Sequence, residues 1–339
     1  MDIMALHGYG EGKYDINSYI DFENISNTSI TVKDFLLSNS TSDKILDYDY
    51  CLGKIFLLVV KAGVKHIFTL DSDYNILSDL TVDTSILKIK VDETGIYMTF
   101  SSTTYGEWGI KKTTLSGTTI WSISGIKEIK ELYLGTSSNP YIYAWRAGGI
   151  KQYYKSTGTS ASSGTEFSCY GICLTNDNKI VSRTNTTGQY KIFSNMLVVS
   201  NTMTIIASNA DSNFIVNSDG ILFQISSDIL YRYDLQGTVL STTKLNTGNS
   251  YGYMVMDEKE NIFIYQGGFI MKLDKLGNIL YKIFVNSLFT TSGGYLTNCP
   301  SIIKSAKDSV MILNYNNIWS IGGQTIALPK IYTSCKIIK

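Results

Sequence analysis

Short runs of Ile, Val, Leu, Tyr and Phe recur along this chain, each closed off by Gly, Asn, Asp or Ser. Residues 252–285 show the pattern most clearly. "GYMVMD", the turn "EKE", "NIFIYQ", a Gly turn, "FIMKLD", the turn "KLG" and "NILYKIFV" follow one another, which predicts four strands of a meander. The middle runs are apolar at nearly every position, whereas last runs such as "TVLSTTKL" and "SDLTV" admit polar residues. A strand covered on both faces reads as continuous, and a strand with a wet side reads as mixed. Each group of four is therefore expected to be buried in its middle and wet at its last strand.

The group repeats. Anchoring on the hydrophobic pair that opens the second strand gives Ile55-Phe56, Ile96-Tyr97, Ile142-Tyr143, Ile180-Val181, Leu222-Phe223, Ile262-Phe263 and Val310-Met311, spaced by 41, 46, 38, 42, 40 and 48 residues. That period is the length of a four-stranded propeller blade. The expected fold is all-β: a β-propeller of seven four-stranded blades over residues 44–339, with six and eight blades as the alternatives. Units three (127–168) and four (169–207) are the least regular, with substitutes such as "STGTSASSGTEFS". Residues 1–43 form an N-terminal extension whose alternating segment "TSITVKDFLL" (28–37) either closes the ring against the last blade or attaches the protein to a partner.

"YDLQGTVL" and "LDKLGNIL" suit the hairpin between third and fourth strands. Asp bonds its own backbone two residues on, and Gly supplies the positive φ of a bulged turn. "LDSDYNIL" and "TLSGTTIW" are variants of the same turn.

With this period and the turn D-x-x-G-x-[IV]-[LW], seen as Asp234-Gly237-Val239-Leu240 and Asp274-Gly277-Ile279-Leu280, residues 44–331 resemble the β-propellers grouped as PQQ-like, NHL-like and kelch-like. The WD dipeptide is absent and the paired glycines of kelch are irregular, so the resemblance stops at architecture. It implies a binding scaffold more often than a catalyst.

Composition narrows the partners. Lys+Arg and Asp+Glu are both 29, so no overall field gathers nucleic acid or an anionic membrane surface. Five scattered cysteines, Cys51, Cys169, Cys173, Cys299 and Cys335, form no disulfide framework and fit a reducing compartment. "MDIMALHGYGEGKYD" has neither basic n-region nor apolar h-region, so no signal peptide is read there. No run reaches the length of a membrane span, and membrane insertion is not expected.

Catalytic and metal motifs are sparse. The two histidines are His7 and His66; His66, at the start of a third strand, reads as a half-buried structural imidazole. "GYGEGK" lacks the spacing of a phosphate loop. Asp47 and Asp49, like Asp71 and Asp73, offer oxygen to calcium but belong to no twelve-residue loop and read as turn chemistry. Cys169 and Cys173 have no further ligand nearby in sequence. No metal and no cofactor is expected.

The loops joining second to third strands, and those joining blades, emerge on one face of a propeller. They carry Tyr105, Glu107, Trp108, Trp145, Arg146, Gln266, Tyr315 and Asn316, aromatics among amides that suit recognition of sugars or protein surfaces. With 26 Lys against three Arg and abundant Ile, Asn and Tyr, the chain looks like the product of an AT-rich bacterial or phage genome. The expectation is a non-enzymatic structural or adhesive propeller of a phage or phage-tail-like particle, made in the bacterial cytoplasm and carried out in the virion. Its partners would be other particle or baseplate proteins and host cell-wall carbohydrate or surface protein. The alternatives are a free carbohydrate-binding lectin and a propeller lyase or hydrolase. The lyase or hydrolase needs carboxylates converging on the channel, where Asp92, Asp177, Asp219 and Asp257 are the candidates near turns.

Overall fold

The computed structural model describes residues 32–38, 44–71, 75–101, 107–146, 149–161, 169–175, 177–184, 186, 188–205, 214–248, 252–256, 259–266, 269–284, 301–304, 310–313, 320–321, 324–325 and 333–338. Among them every regular element is a strand. β1 (Val32–Ser38) precedes a first sheet of β2 (Lys44–Cys51), β3 (Lys54–Lys61), β4 (Val64–Leu70) and β5 (Ile76–Val82). The second holds β6 (Ile86–Asp92), β7 (Gly95–Ser101), β8 (Glu107–Thr113) and β9 (Thr119–Lys127). The third has three strands, β10 (Ile129–Leu134), β11 (Tyr141–Arg146) and β12 (Gly149–Tyr154), and a lone bridge from Tyr153 to Ser160 in place of a fourth.

The fourth sheet is β13 (Cys169–Leu174), β14 (Ile180–Thr184), β15 (Gln189–Phe193) and β16 (Val199–Thr204). The fifth is β17 (Phe214–Val216), β18 (Leu222–Ser226), β19 (Ile229–Tyr233) and β20 (Val239–Lys244). The sixth is β21 (Gly252–Met256), β22 (Ile262–Gln266), β23 (Phe269–Leu273) and β24 (Ile279–Phe284). After β25 (Ser301–Lys304) and β26 (Val310–Leu313) come the hairpin β27 (Ser320–Ile321) and β28 (Gln324–Thr325), then β29 (Thr333–Ile338). The last sheet runs β25, β26, β29 and β1, with Val32 opposite Ile338 and Ser38 opposite Thr333. A strand from the start of the chain thus completes the sheet made by its end.

All seven anchor pairs lie in second strands. β3, β14 and β22 are buried nearly throughout, whereas β5 and β16 are mostly exposed, as the hydrophobic pattern predicts. The apolar cores lie between sheets. Phe56, Leu58 and Ile67 pack on Ile89, Val91, Ile96 and Met98 of the next sheet; Tyr97 and Ile110 on Leu132 and Ile142; Tyr143 and Ile150 on Ile172 and Phe193. The series continues with Val181 and Tyr190 on Phe214 and Leu222, and Phe223 and Leu230 on Met254 and Ile264. First strands touch first strands: β2 meets β6, β6 meets β10, β13 meets β17, β17 meets β21 and β21 meets β25.

The recurrent turn has two functions. Asp234 Oδ1 accepts hydrogen bonds from the N–H groups of Gln236 (2.9 Å) and Thr238 (2.8 Å), and Asp274 Oδ1 from Leu276 (2.9 Å) and Asn278 (2.8 Å). Gly237 and Gly277 close the turns at φ +94° and +85°, and the ladder skips a residue straight afterwards. Thr114 and Ser194 cap the equivalent turns with hydroxyls. The turn also docks on the preceding sheet: a Cβ on Gly237 would lie 2.5 Å from the Thr204 carbonyl oxygen, and the Gly277 carbonyl accepts from Thr243 Oγ1 at 2.7 Å. Gly237→Ala is therefore expected to lower stability by about 2 kcal/mol, combining left-handed strain with a backbone clash. Gly53→Ala, at φ +73° with nothing within 4 Å, should lose only about 1 kcal/mol. Urea midpoints of the two variants measure the difference.

Candidate functional site

Three consecutive first strands carry charge: Asp47 and Asp49 two apart on β2, Lys88 and Lys90 two apart on β6, and Glu131 on β10. Alternate residues of a strand face opposite sides. Ile89, Val91 and Leu132 are committed to the cores between sheets, so their charged neighbours take the opposite side of first strands that touch one another, here termed the inner wall. The two aspartates reach across to β6, where Asp47 Oδ2 accepts from the Ile89 N–H at 2.7 Å and Asp49 Oδ2 from the Val91 N–H at 2.6 Å. A first strand has one unpaired ladder edge, and these carboxylates satisfy it. The expectation that Asp47 and Asp49 are turn residues is corrected accordingly: they lie within β2.

Glu131 organises the lysines. Lys88 Nζ lies 2.6 Å from Glu131 Oε2 and Lys90 Nζ 3.7 Å from Oε1, while Oε1 also accepts from the Leu132 N–H at 3.2 Å. Side-chain exposures of 34% for Lys88 and 24% for Lys90 and Glu131 describe groups enclosed by strands yet still wet, as on a channel wall. Burial pushes the Asp47 carboxyl up to about 6, with Lys90 pulling the other way. Asp49 is raised for the same reason, burial exceeding the pull of Lys90. Burial opposes the charge on Lys90, but Glu131, Asp49 and Asp47 outweigh it and hold the ammonium above the ordinary lysine range. Burial likewise opposes the charge on Glu131, and Lys90 and Lys88 outweigh it, holding this carboxyl below its usual range.

A carboxyl that titrates near neutrality beside a permanently charged ammonium is a proton acceptor placed next to a stabiliser of negative charge. Such displaced pairs mark functional sites more often than random surface does. Among the described residues no three His, Cys, Asp or Glu side chains converge as a metal site.

The loop residues singled out in the sequence are dispersed. Glu107 is exposed at the start of β8. Trp108 packs beside Ile126 and Ile129 between the second and third sheets, and Trp145 beside Ile150 and Ile172 between the third and fourth. Arg146 and Gln266 are buried at strand ends. Tyr105, Tyr315 and Asn316 lie outside the described residues. Of the carboxylates considered near turns, Asp92 is paired with Lys155 at 3.0 Å and Asp177 with Lys179 at 2.6 Å. Asp219 is an exposed turn residue, and Asp257 lies outside the described residues. His66 is half-buried, with Nδ1 at 2.7 Å from Asp79 Oδ1 on β5. Neither β4 nor β5 is a first strand.

No protein-family model matches the chain, and no curated protein sequence matches it. Solved structures do. A streptogramin B lyase superposes with a TM-score of 0.60 at 15% identity, covering 91% of this chain and 97% of the lyase. A catalytically inactive histidine-to-alanine variant of virginiamycin B lyase from Staphylococcus aureus, solved with quinupristin, gives 0.58 at 11% identity over 92% and 99%. KlHsv2 with one loop replaced by a Gly-Ser linker gives 0.58 at 12% identity over 83% and 96%. The chain is a β-propeller. Identities this low show the fold alone.

These propellers correct two expectations, that of a phage or phage-tail-like particle component and that of a protein without catalysis. The neighbours include an enzyme matched over nine-tenths of this chain, and none of those named here is a tail or baseplate protein. The physical reason lies in the polar composition taken as adhesive. Thr114, Thr175, Ser194 and Asn217 spend their oxygens capping turns, which any loop-rich propeller requires.

Proposed function

We propose that this protein is an enzyme of the lyase or hydrolase class, with Asp47, Lys90 and Glu131 as its proton-transfer and charge-stabilising centre. The observation that carries the reading is the Asp47 carboxyl, raised to about 6 on the inner wall beside Lys90. In an elimination, the carboxylate takes a proton from the carbon next to a carbonyl, and the charge developing on the carbonyl oxygen meets the Lys90 ammonium. The bond to the leaving oxygen then breaks, and that oxygen takes the proton back from Asp47. In a hydrolysis, the same carboxylate takes a proton from water as its oxygen attacks the scissile carbon, and the leaving group takes that proton from Asp47 as its bond breaks. Glu131 positions Lys90 by charge.

The likeness to the streptogramin B lyases supports a catalytic use of this fold, but the chemistry here rests on different groups. One S. aureus lyase is inactivated by loss of a histidine, whereas His66 here is bound to Asp79 away from the first strands. The pairing of β1 with β29 supports a closed ring in which residues 32–38 complete the last blade, giving the channel a rigid wall.

The test incubates the full chain with quinupristin and with bacterial wall polysaccharide, reading products by mass spectrometry. An elimination conserves the summed mass, and a hydrolysis adds one water per bond cut. Product formation that falls at least about a hundredfold in Asp47→Asn is the expected result. Absence of product on both substrates, or full turnover by Asp47→Asn, overturns the proposal.

A further inference from the structure

The inner-wall cluster also specifies what kind of molecule fits it. Asp47 and Asp49 each commit one oxygen, Oδ2, to a backbone N–H of β6. Asp49 also accepts from the Tyr50 N–H, and the Lys90 ammonium and Glu131 carboxylate act on both aspartates. Lys88 is satisfied at 2.6 Å by Glu131. Lys90 is not: among the described residues its ammonium has the 3.7 Å ion pair to Glu131 Oε1, longer than a hydrogen bond. Three N–H donors therefore stand beside two half-buried carboxylates.

Charge then eliminates ligand classes. An ammonium or guanidinium group entering beside Asp47 and Asp49 meets Lys88 and Lys90. A carboxylate or phosphate seeking Lys90 meets Asp49, Glu131 and Asp47. A hydroxyl carries no charge and both donates and accepts, so adjacent hydroxyls can donate to the carboxylates while accepting from Nζ. Tyr48 and Tyr133, between and beside the charged residues on β2 and β10, pack against the hydrophobic cores, so recognition at the wall rests on its charged groups.

We infer that the inner wall formed by Asp47, Asp49 and Lys90 binds a neutral, hydroxyl-rich ligand, that is, an uncharged carbohydrate. This deepens the enzymatic reading above and rests on the same cluster being a site. It is a different surface from the loop aromatics, two of which, Trp108 and Trp145, are packed into cores.

The test uses calorimetric titration of the full chain near pH 7 with three sugars sharing one ring: glucose, glucosamine and glucuronate, together with neutral maltotetraose. The expected result is saturable binding of the neutral sugars, with the amine and the acid at least about tenfold weaker. Lys90→Met and Asp49→Asn should each weaken neutral-sugar binding by about tenfold or more. Thermal melts show which variants fold, and either folded variant suffices. Equal or tighter binding of the amine or acid, no binding of any neutral sugar at about 10 mM, or unchanged affinity in a folded variant overturns the inference. Sugar binding without products from any substrate leaves the inference standing and ends the enzymatic reading. Quinupristin turnover with no sugar binding does the reverse.

Discussion

Lys155→Met is expected to lower the unfolding free energy by about 3–5 kcal/mol, the largest single loss for a side chain outside the channel. Lys155 Nζ lies 3.0 Å from Asp92 Oδ2, and both side chains are 9% exposed. The same ammonium donates to the carbonyls of Gly135 (2.9 Å) and Thr136 (3.3 Å), so it joins the second sheet to the turn after β10. Methionine fills the stem but abandons three acceptors in a dry place. Asp92 keeps its bonds from the Thr94 N–H and hydroxyl yet loses its counter-charge. Breaking one half of a buried pair is worse than replacing both halves, so Asp92→Asn combined with Lys155→Met should recover part of the loss. Burial opposes the Asp92 charge, but Thr94 and Lys155 outweigh it and hold the carboxyl below its ordinary range. A depressed carboxyl contributes stability above its unfolded value and loses it as pH falls through the folded one. In Lys155→Met the carboxyl is no longer held down by the ammonium, so that acid-side loss should shrink. Urea unfolding at several pH values, with slopes checked for constancy, reads both effects; a loss under about 1 kcal/mol would show the pair behaving as a surface ion pair.

How far residues alone disclose this molecule depends on the range of the interactions involved. The blade period is legible because each second strand is covered on both faces by neighbours one period away, which forces Ile, Val, Leu and Phe at fixed spacing. The third-to-fourth turn is legible because its hydrogen bonds run from Asp234 to Thr238, within five residues. The docking of that turn on Thr204 is not, since it joins residues more than thirty positions apart. The alternating segment at 28–37 marks a strand fit to close the ring against the last blade, as β1 does on β29, but nothing local in "VKDFLLS" selects "TSCKII" over another edge.

The inner-wall cluster was nearly legible. "LDYDY" and "LKIKV" place charge at period two inside the first strand of a unit, and "KELYL" adds Glu131 in the next, which is the mark of strands with one dry face and one polar one. Read singly, Asp47 and Asp49 look like turn chemistry; read across three units they form a wall. The loop aromatics are the opposite case. Trp108 and Trp145 sit where loops begin, but the cores between sheets extend to the strand ends and absorb them.

Asp47→Asn should stabilise the protein at pH 7 while removing its activity, by up to about 3 kcal/mol before solvent screening is discounted. The folded carboxyl is raised from 3.8 to about 6. A raised carboxyl favours the folded state fully below its unfolded value, and that benefit is lost as pH rises through about 6. Above that pH the native protein holds a carboxylate that burial disfavours, and the amide relieves the penalty while its oxygen still accepts from the Ile89 N–H. The gain should therefore be present at pH 7 and close to zero near pH 4, where the native carboxyl is neutral as well. Melting temperatures of both proteins across that range give the answer. A loss of stability at pH 7 would mean that the carboxylate is held chiefly as a partner of Lys90 and belongs to the scaffold. A gain would mean that the inner wall keeps a destabilising charge, and groups kept at the expense of stability are those that function requires.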